Sequence, residues 1–290
     1  MCIIEFLMAG GYAVFPNLKI TVPGQRYFLI FYSSASAFVI SQFFDLRAGP
    51  PSSLSLLVQP ESYRISGDNE LWTMPVQPEL LLSDTFGNTA QLASGGYINV
   101  SACLNASRKT CDSFLYQFLE GTKVLNLNSS QSFVSFTDLK FLKSGIYLLF
   151  FEFHTSTVLN KEPQKLAVLS NSFQVYPGDL HSMNLINSCA QNLTCGTAGL
   201  PLSTQPVVFL KDKYGNLVDD DNLYISVSIP GFLIQNSSLE VGNAVSSILT
   251  GKTTIQARNG IVVFTDLHIT RVSENNMYFL DPPIDLGRAA

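Results

Sequence analysis

The chain has 290 residues, 46% of them hydrophobic and 13% charged, with a net charge of −5. That length holds roughly two domains, and the hydrophobic share suffices to bury a core, which excludes a disordered chain. The absence of a basic stripe excludes nucleic-acid binding, and the low charged share suits strands faced with Ser and Thr rather than solvated helices.

Residues 1–14 are apolar, but no Lys or Arg opens them and Glu5 and Gly10-Gly11 interrupt them, which is a poor match to a signal peptide. Residues 27–40 are apolar, broken by Ser33, Ser34 and Ser36, and too short to span a bilayer; no membrane-spanning segment is read in the chain. Strand-like runs follow at 54–58, 79–83, 97–101, 133–136, 147–153, 166–175 and 224–229. In the last, Tyr224, Ser226 and Ser228 share one face and Ile225, Val227 and Ile229 the other. Turn residues separate the runs at steps typical of sandwiches. Residues 114–119 fit a single turn of helix.

An internal repeat organises these runs. Pro78-Glu-Leu-Leu-Leu-Ser-Asp-Thr-Phe-Gly-Asn88 matches Pro206-Val-Val-Phe-Leu-Lys-Asp-Lys-Tyr-Gly-Asn216 without a gap. Phe15-Pro-Asn-Leu18, Phe136-Thr-Asp-Leu139 and Phe264-Thr-Asp-Leu267 form a second block. Tyr27-Phe-Leu-Ile-Phe31, Tyr147-Leu-Leu-Phe-Phe151 and Tyr278-Phe-Leu280 form a third, and Phe44-Asp-Leu-Arg-Ala-Gly49 and Phe173-Gln-Val-Tyr-Pro-Gly178 a fourth. The block order predicts the last part of one repeat over 1–49, a complete repeat over 50–176, and another over 177–290 that is truncated or divergent at its C-terminus; a fragment or splice form of a longer protein is the expectation.

The Asp84-x-x-Gly87-Asn88 and Asp212-x-x-Gly215-Asn216 turns are read as structural. The Asp accepts a hydrogen bond from the N–H two residues on, the Gly supplies a positive φ, the Asn tolerates the left-handed region, and Phe86 or Tyr214 covers a sandwich edge. Tyr147, two residues after Gly145, fits a tyrosine corner, with its hydroxyl returning to the backbone.

Of the five Cys, Cys103 and Cys111 flank one polar segment and Cys189 and Cys195 another. Each pair suits a local disulfide worth about 2.5 kcal/mol; free thiols and a zinc site are the alternatives. Sequons stand at Asn99, Asn105, Asn128, Asn192 and Asn236, two of them inside the Cys loops. Sequons with paired Cys favour a secreted or cell-surface location. Asp219-Asp220-Asp221, with Asp212, offers oxygens to calcium but lacks EF-hand spacing, so an acidic loop is the simpler reading. His154, His181 and His268 are isolated, with His154 and His268 beside strands at the surface. No phosphate loop or hydrolase motif is present; no enzyme activity, metal or cofactor is expected.

The Asp-x-aromatic-Gly-Asn turn resembles that of invasin-type immunoglobulin-like repeats. Gly145-x-Tyr147 followed by Ser172-Phe173-Gln-Val175 resembles the end of a filamin-type repeat. The resemblance implies an all-β chain of tandem immunoglobulin-like sandwiches. Departures are the paired Cys, the sequons, and Ser-Asn-Ser-Phe where filamins have Ser-Pro-Phe. The Cys…Trp…Cys arrangement of antibody domains is absent, with Trp72 standing alone. The expected function is a non-catalytic structural or adhesion segment of a larger extracellular protein, contacting an unknown protein or glycan partner. A carbohydrate-binding module, accessory domains of an enzyme and a cytoplasmic filamin-like scaffold are the alternatives.

Overall fold

A computed structural model describes residues 13–33, 36–66, 73–92, 95–103, 118–129, 131–155, 165–187, 196–228 and 249–270. Among the described residues every regular element is a strand, so the fold is all-β. The chain divides into two compact units, one of Met1–Glu61, Met74–Leu139 and Leu148–Ser172, the other of Ser62–Thr73, Lys140–Tyr147 and Phe173–Ala290.

In the first unit, strand Glu79–Ser83 lies between Ser53–Val58 and Phe133–Ser135, antiparallel to both. A second sheet runs in the order Val124–Leu127, Gly96–Cys103, residues 148–155 and Lys165–Leu169. Strand alternation decides the inside. Leu80 and Leu82 are fully buried, as are Ile98, Val100, Leu149, Phe151 and Phe153, while the residues between them point outward or are only half-covered. The Phe136 ring, just after strand Phe133–Ser135, meets Phe151 of the second sheet at 5.6 Å. The two inner faces thus share one core, an arrangement consistent with a β-sandwich.

Residues 13–49 add two short antiparallel pairs, Gly24–Tyr27 with Phe44–Leu46 and Ile30–Tyr32 with Phe38–Ile40. Tyr27, Leu29, Phe31, Phe44 and Leu46 are only half-buried, whereas Tyr147, Leu149, Phe151, Phe173 and Val175 of the matching blocks are at most 3% exposed.

In the second unit, strand Phe173–Tyr176 pairs antiparallel with residues 145–147 and parallel with Tyr63–Arg64. Phe141 stacks on Tyr147 at 4.2 Å and meets Phe173 edge-on. Strand Val207–Lys211 lies between Ser182–Asn187 and Ile261–Val263; Tyr224–Ser226 pairs with Thr254–Gln256, and Leu249–Thr250 with His268–Ile269. Val208, Leu210, Val218, Leu249, Ala257, Val262, Phe264 and Leu267 make its other core.

The run at 166–175 is two strands, Lys165–Leu169 and Phe173–Tyr176, not one. The Ser170 hydroxyl accepts from Leu149 N–H at 2.8 Å and donates to the Asn171 carbonyl at 2.8 Å. A side-chain oxygen thereby takes a ladder position, and the chain leaves one partner segment for another. Ser41 does the same between Phe38–Ile40 and Phe44–Leu46, accepting from Leu29 N–H at 2.8 Å. Residues 114–117 of the expected helical turn lie outside the described residues; Leu119 begins a strand. Of the 224–229 run, the strand covers Tyr224–Ser226, and residue 229 lies outside the described residues.

Candidate functional site

The two repeated turns fold alike to the atom. Asp84 Oδ1 accepts from the N–H groups of Phe86 at 2.8 Å and Asn88 at 3.0 Å; Asp212 Oδ1 accepts from Tyr214 at 2.9 Å and Asn216 at 2.8 Å. Gly87 and Gly215 sit at φ +81° and +76°, where an L side chain is strained. Neither Asn has a positive φ. Each instead works through its amide, which donates to the partner carboxylate: Asn88 Nδ2 at 3.0 Å and Asn216 Nδ2 at 2.7 Å. Phe86 does not seal an edge; it is half exposed, with the Lys19 ammonium 4.4 Å from its ring centre. The Tyr214 carbonyl accepts from Lys143 Nζ at 2.6 Å.

Both turns also reach out of their own loop, to matching places. Asp84 Oδ2 accepts from Gly49 N–H at 3.0 Å, and Asp212 Oδ2 from Gly178 N–H at 2.9 Å. Gly49 and Gly178 end the two copies of the fourth sequence block. Asn88 Nδ2 donates to Thr21 O at 2.7 Å; Asn216 Nδ2 donates to Leu142 O at 3.0 Å, and its Oδ1 accepts from Ser144 N–H at 3.1 Å. Each turn is therefore a latch on the segment that precedes it. Every oxygen of the two carboxylates is held by N–H donors. The Asn88 amide first, then the Gly49, Phe86 and Asn88 backbone N–H groups, pull Asp84 down to about 2.

Further devices recur. Gln77 Nε2 donates to Met74 O and Leu139 O and its Oε1 accepts from Leu139 N–H; Gln205 does the same with Leu202 and Leu267. Asp138 accepts from Thr122 N–H at 2.9 Å and Asp266 from Lys252 N–H at 2.9 Å. The preceding glycines, Gly121 and Gly251, have positive φ and lie against the backbone of those same Asp residues. Phe136, Leu139, Phe264 and Leu267 of the second block are core anchors, each at most 1% exposed. The sequence reading missed Gln77 and Gln205, although the gapless match extends one residue further back to include them. The tyrosine corner is present: Tyr147 OH donates to Lys143 O at 3.0 Å and Tyr27 OH to Val22 O at 3.1 Å. Burial pushes the Tyr147 hydroxyl up to about 12.

The acidic run does not converge. Asp219 pairs with Arg64 at 2.7 Å, Asp220 accepts from Asn222 N–H, and Asp221 accepts from Asn259 N–H. Among the described residues no three His, Cys, Asp or Glu side chains are placed to hold a metal ion. His154 is a half-buried strand residue stacked on Tyr97 at 4.8 Å, His268 is half-buried, and His181 is exposed. No helix among the described residues is long and apolar enough to cross a membrane.

Cys103 ends strand Gly96–Cys103 and is buried. Cys111, Cys189 and Cys195 lie outside the described residues, as do Trp72 and the sequons at Asn105, Asn192 and Asn236. Asn128 is exposed on a turn after strand Val124–Leu127, and Asn99 lies mid-strand on an outward face. Compared with known proteins, the chain matches no family model and no curated sequence.

Proposed function

We propose that the chain is a non-catalytic segment of an extracellular array of immunoglobulin-like sandwich repeats, of the filamin or invasin kind, that serves structural support and adhesion to another protein or cell. In this reading the repeats are 1–49, 50–176 and 177–290, and the disulfides are Cys103–Cys111 and Cys189–Cys195. The observation that carries it is the recurring latch. Asp84 and Asn88 grip Gly49 and Thr21, and Asp212 and Asn216 grip Gly178 and Leu142; such bonds where one proposed repeat meets the next support a hydrogen-bonded joint over a free linker. Joints of one design, repeated along a chain, suit a protein that holds its binding loops at fixed spacing. The spacing of the Cys pairs and the sequons in the sequence support an oxidising compartment.

Mass spectrometry of the chain from a secretory host, non-reduced and before and after glycosidase, tests the location. Linked Cys pairs and occupied sequons support it. Free thiols and bare sequons in a folded chain overturn it in favour of a cytoplasmic scaffold. Adhesion is tested by coating beads with that material: retention on cells, lost after denaturation, supports it, and beads that bind no cell type or matrix overturn it.

A further inference from the structure

The outward face of the sheet around strand Gly96–Cys103 exposes apolar side chains around a sequon. Val124 is 45% and Tyr97 39% exposed, and the half-buried Phe150 lies on the same side. Asn99 stands in their midst. It is directly opposite Val124 on one neighbouring strand and Glu152 on the other, with Tyr97 two residues before it and Ser101 two residues after. Glu152 is engaged by Lys165, and Tyr97 is stacked on His154. The Asn99 side chain itself is half-buried on this face. Asn99-Val100-Ser101 is an acceptor sequence for N-linked sugar.

We propose that Asn99 carries an N-linked glycan whose first sugars lie over Val124 and Tyr97, so that the covering of this sheet face is carbohydrate. The inference rests on the extracellular reading above. Strand geometry supports the placement: directly opposed side chains stand about 5 Å apart and same-face neighbours along a strand about 7 Å, within reach of the first sugars of a glycan on Asn99. The apolar ring face of the sugar meets Val124 and the Tyr97 edge, and its hydroxyls face Asn126 and water. In the transfer, Asn99 Nδ2 bonds to the anomeric carbon of a lipid-pyrophosphate-linked oligosaccharide. The lipid pyrophosphate leaves with the electron pair of the broken C–O bond, and the amide gives up one proton to a base. Because transfer precedes folding, pairing of the strand on both sides does not obstruct it.

The full chain is expressed in a secretory host, with Asn128 on its exposed turn as internal control. Glycopeptide mass spectrometry reads occupancy, and amide exchange reads strand Val124–Leu127. The expected result is an occupied Asn99. After trimming to a single N-acetylglucosamine, exchange should be unchanged, but it should be about fivefold faster in both Asn99→Gln and Ser101→Ala, the factor for removing about 40 Å² of apolar surface from water. Ser101→Ala keeps Asn99 and loses only the sugar, which separates the glycan from the side chain. A bare Asn99 beside an occupied Asn128 overturns this inference alone. Bare Asn99 and Asn128 with reduced Cys103 overturn it together with the extracellular reading. An occupied Asn99 whose removal leaves the exchange of Val124–Leu127 unchanged overturns the covering role.

Discussion

Replacing Asn216 by Ala tests the latch. Asn216 is 6% exposed and makes three side-chain hydrogen bonds beyond its turn backbone: to the Asp212 carboxylate at 2.7 Å, to Leu142 O at 3.0 Å and from Ser144 N–H at 3.1 Å. A bond to a charged group is worth about 1.5–3 kcal/mol and a neutral one about 0.5–1.5 kcal/mol. Asp212 keeps its bonds from Gly178, Tyr214 and Asn216 N–H, and Leu142 and Ser144 are only half-buried, so water recovers part of the loss. The net is about 3 kcal/mol, or roughly a hundredfold in local opening. Native-state hydrogen exchange is the assay, because a chain of several cooperative units has no single unfolding free energy. The Ser144 and Gly178 amides should exchange about a hundredfold faster in Asn216→Ala, while those of Gly96–Cys103 stay as they were. Asn88 is half-buried and its partner Thr21 is exposed, so Asn88→Ala should speed Gly49 only about tenfold. Unchanged exchange at Ser144 and Gly178, or an equal acceleration across every strand, would refute the reasoning.

The remaining predictions concern acid, backbone and corner. Asp84 titrates at about 2, below its unfolded value, so it stabilises the folded chain above about pH 4. That contribution is lost as pH falls from there through 2, which carboxyl-carbon NMR of Asp84 should follow; in Asn88→Ala the midpoint should move up towards the ordinary aspartate range. Gly251→Ala places a Cβ 2.2 Å from the Asp266 carbonyl at φ +102°, and Gly121→Ala makes the same collision with Asp138 at 2.3 Å. Each should cost more than about 1 kcal/mol in the local opening read by native-state hydrogen exchange, whereas Gly87→Ala, with open space around it, meets only the φ strain and should cost about that much. Tyr147→Phe removes the bond to Lys143 O and should cost about 1 kcal/mol; the wild-type hydroxyl should titrate near 12 by ultraviolet absorbance.

Much of this chain was legible in its sequence, for a local reason. Strand alternation and the positions of Gly and Asp depend on neighbours a few residues away. Hence the runs at 79–83 and 133–136, the Asp-to-N–H turn bond at 84 and 212, the positive φ of Gly87 and Gly215, and the corner at Tyr147 follow from residue types and spacing alone. The all-β class follows from the same patterns together with the low charge.

Other features were settled by segments far apart in sequence. A left-handed Asn next to the turn Gly was a fair local expectation, but Asn88 and Asn216 spend their amides on Thr21 and Leu142, 67 and 74 residues earlier, whose carbonyls only the folded backbone brings near. The division of 166–175 at Ser170 depends on strand Gly145–Thr155 offering two different partner positions. The scattering of Asp219, Asp220 and Asp221 depends on Arg64 and Asn259 arriving from elsewhere. Periodicity fixes which face of a strand is apolar; the tertiary structure alone decides which distant backbone group stands opposite a given side chain, and that decided what these two turns hold.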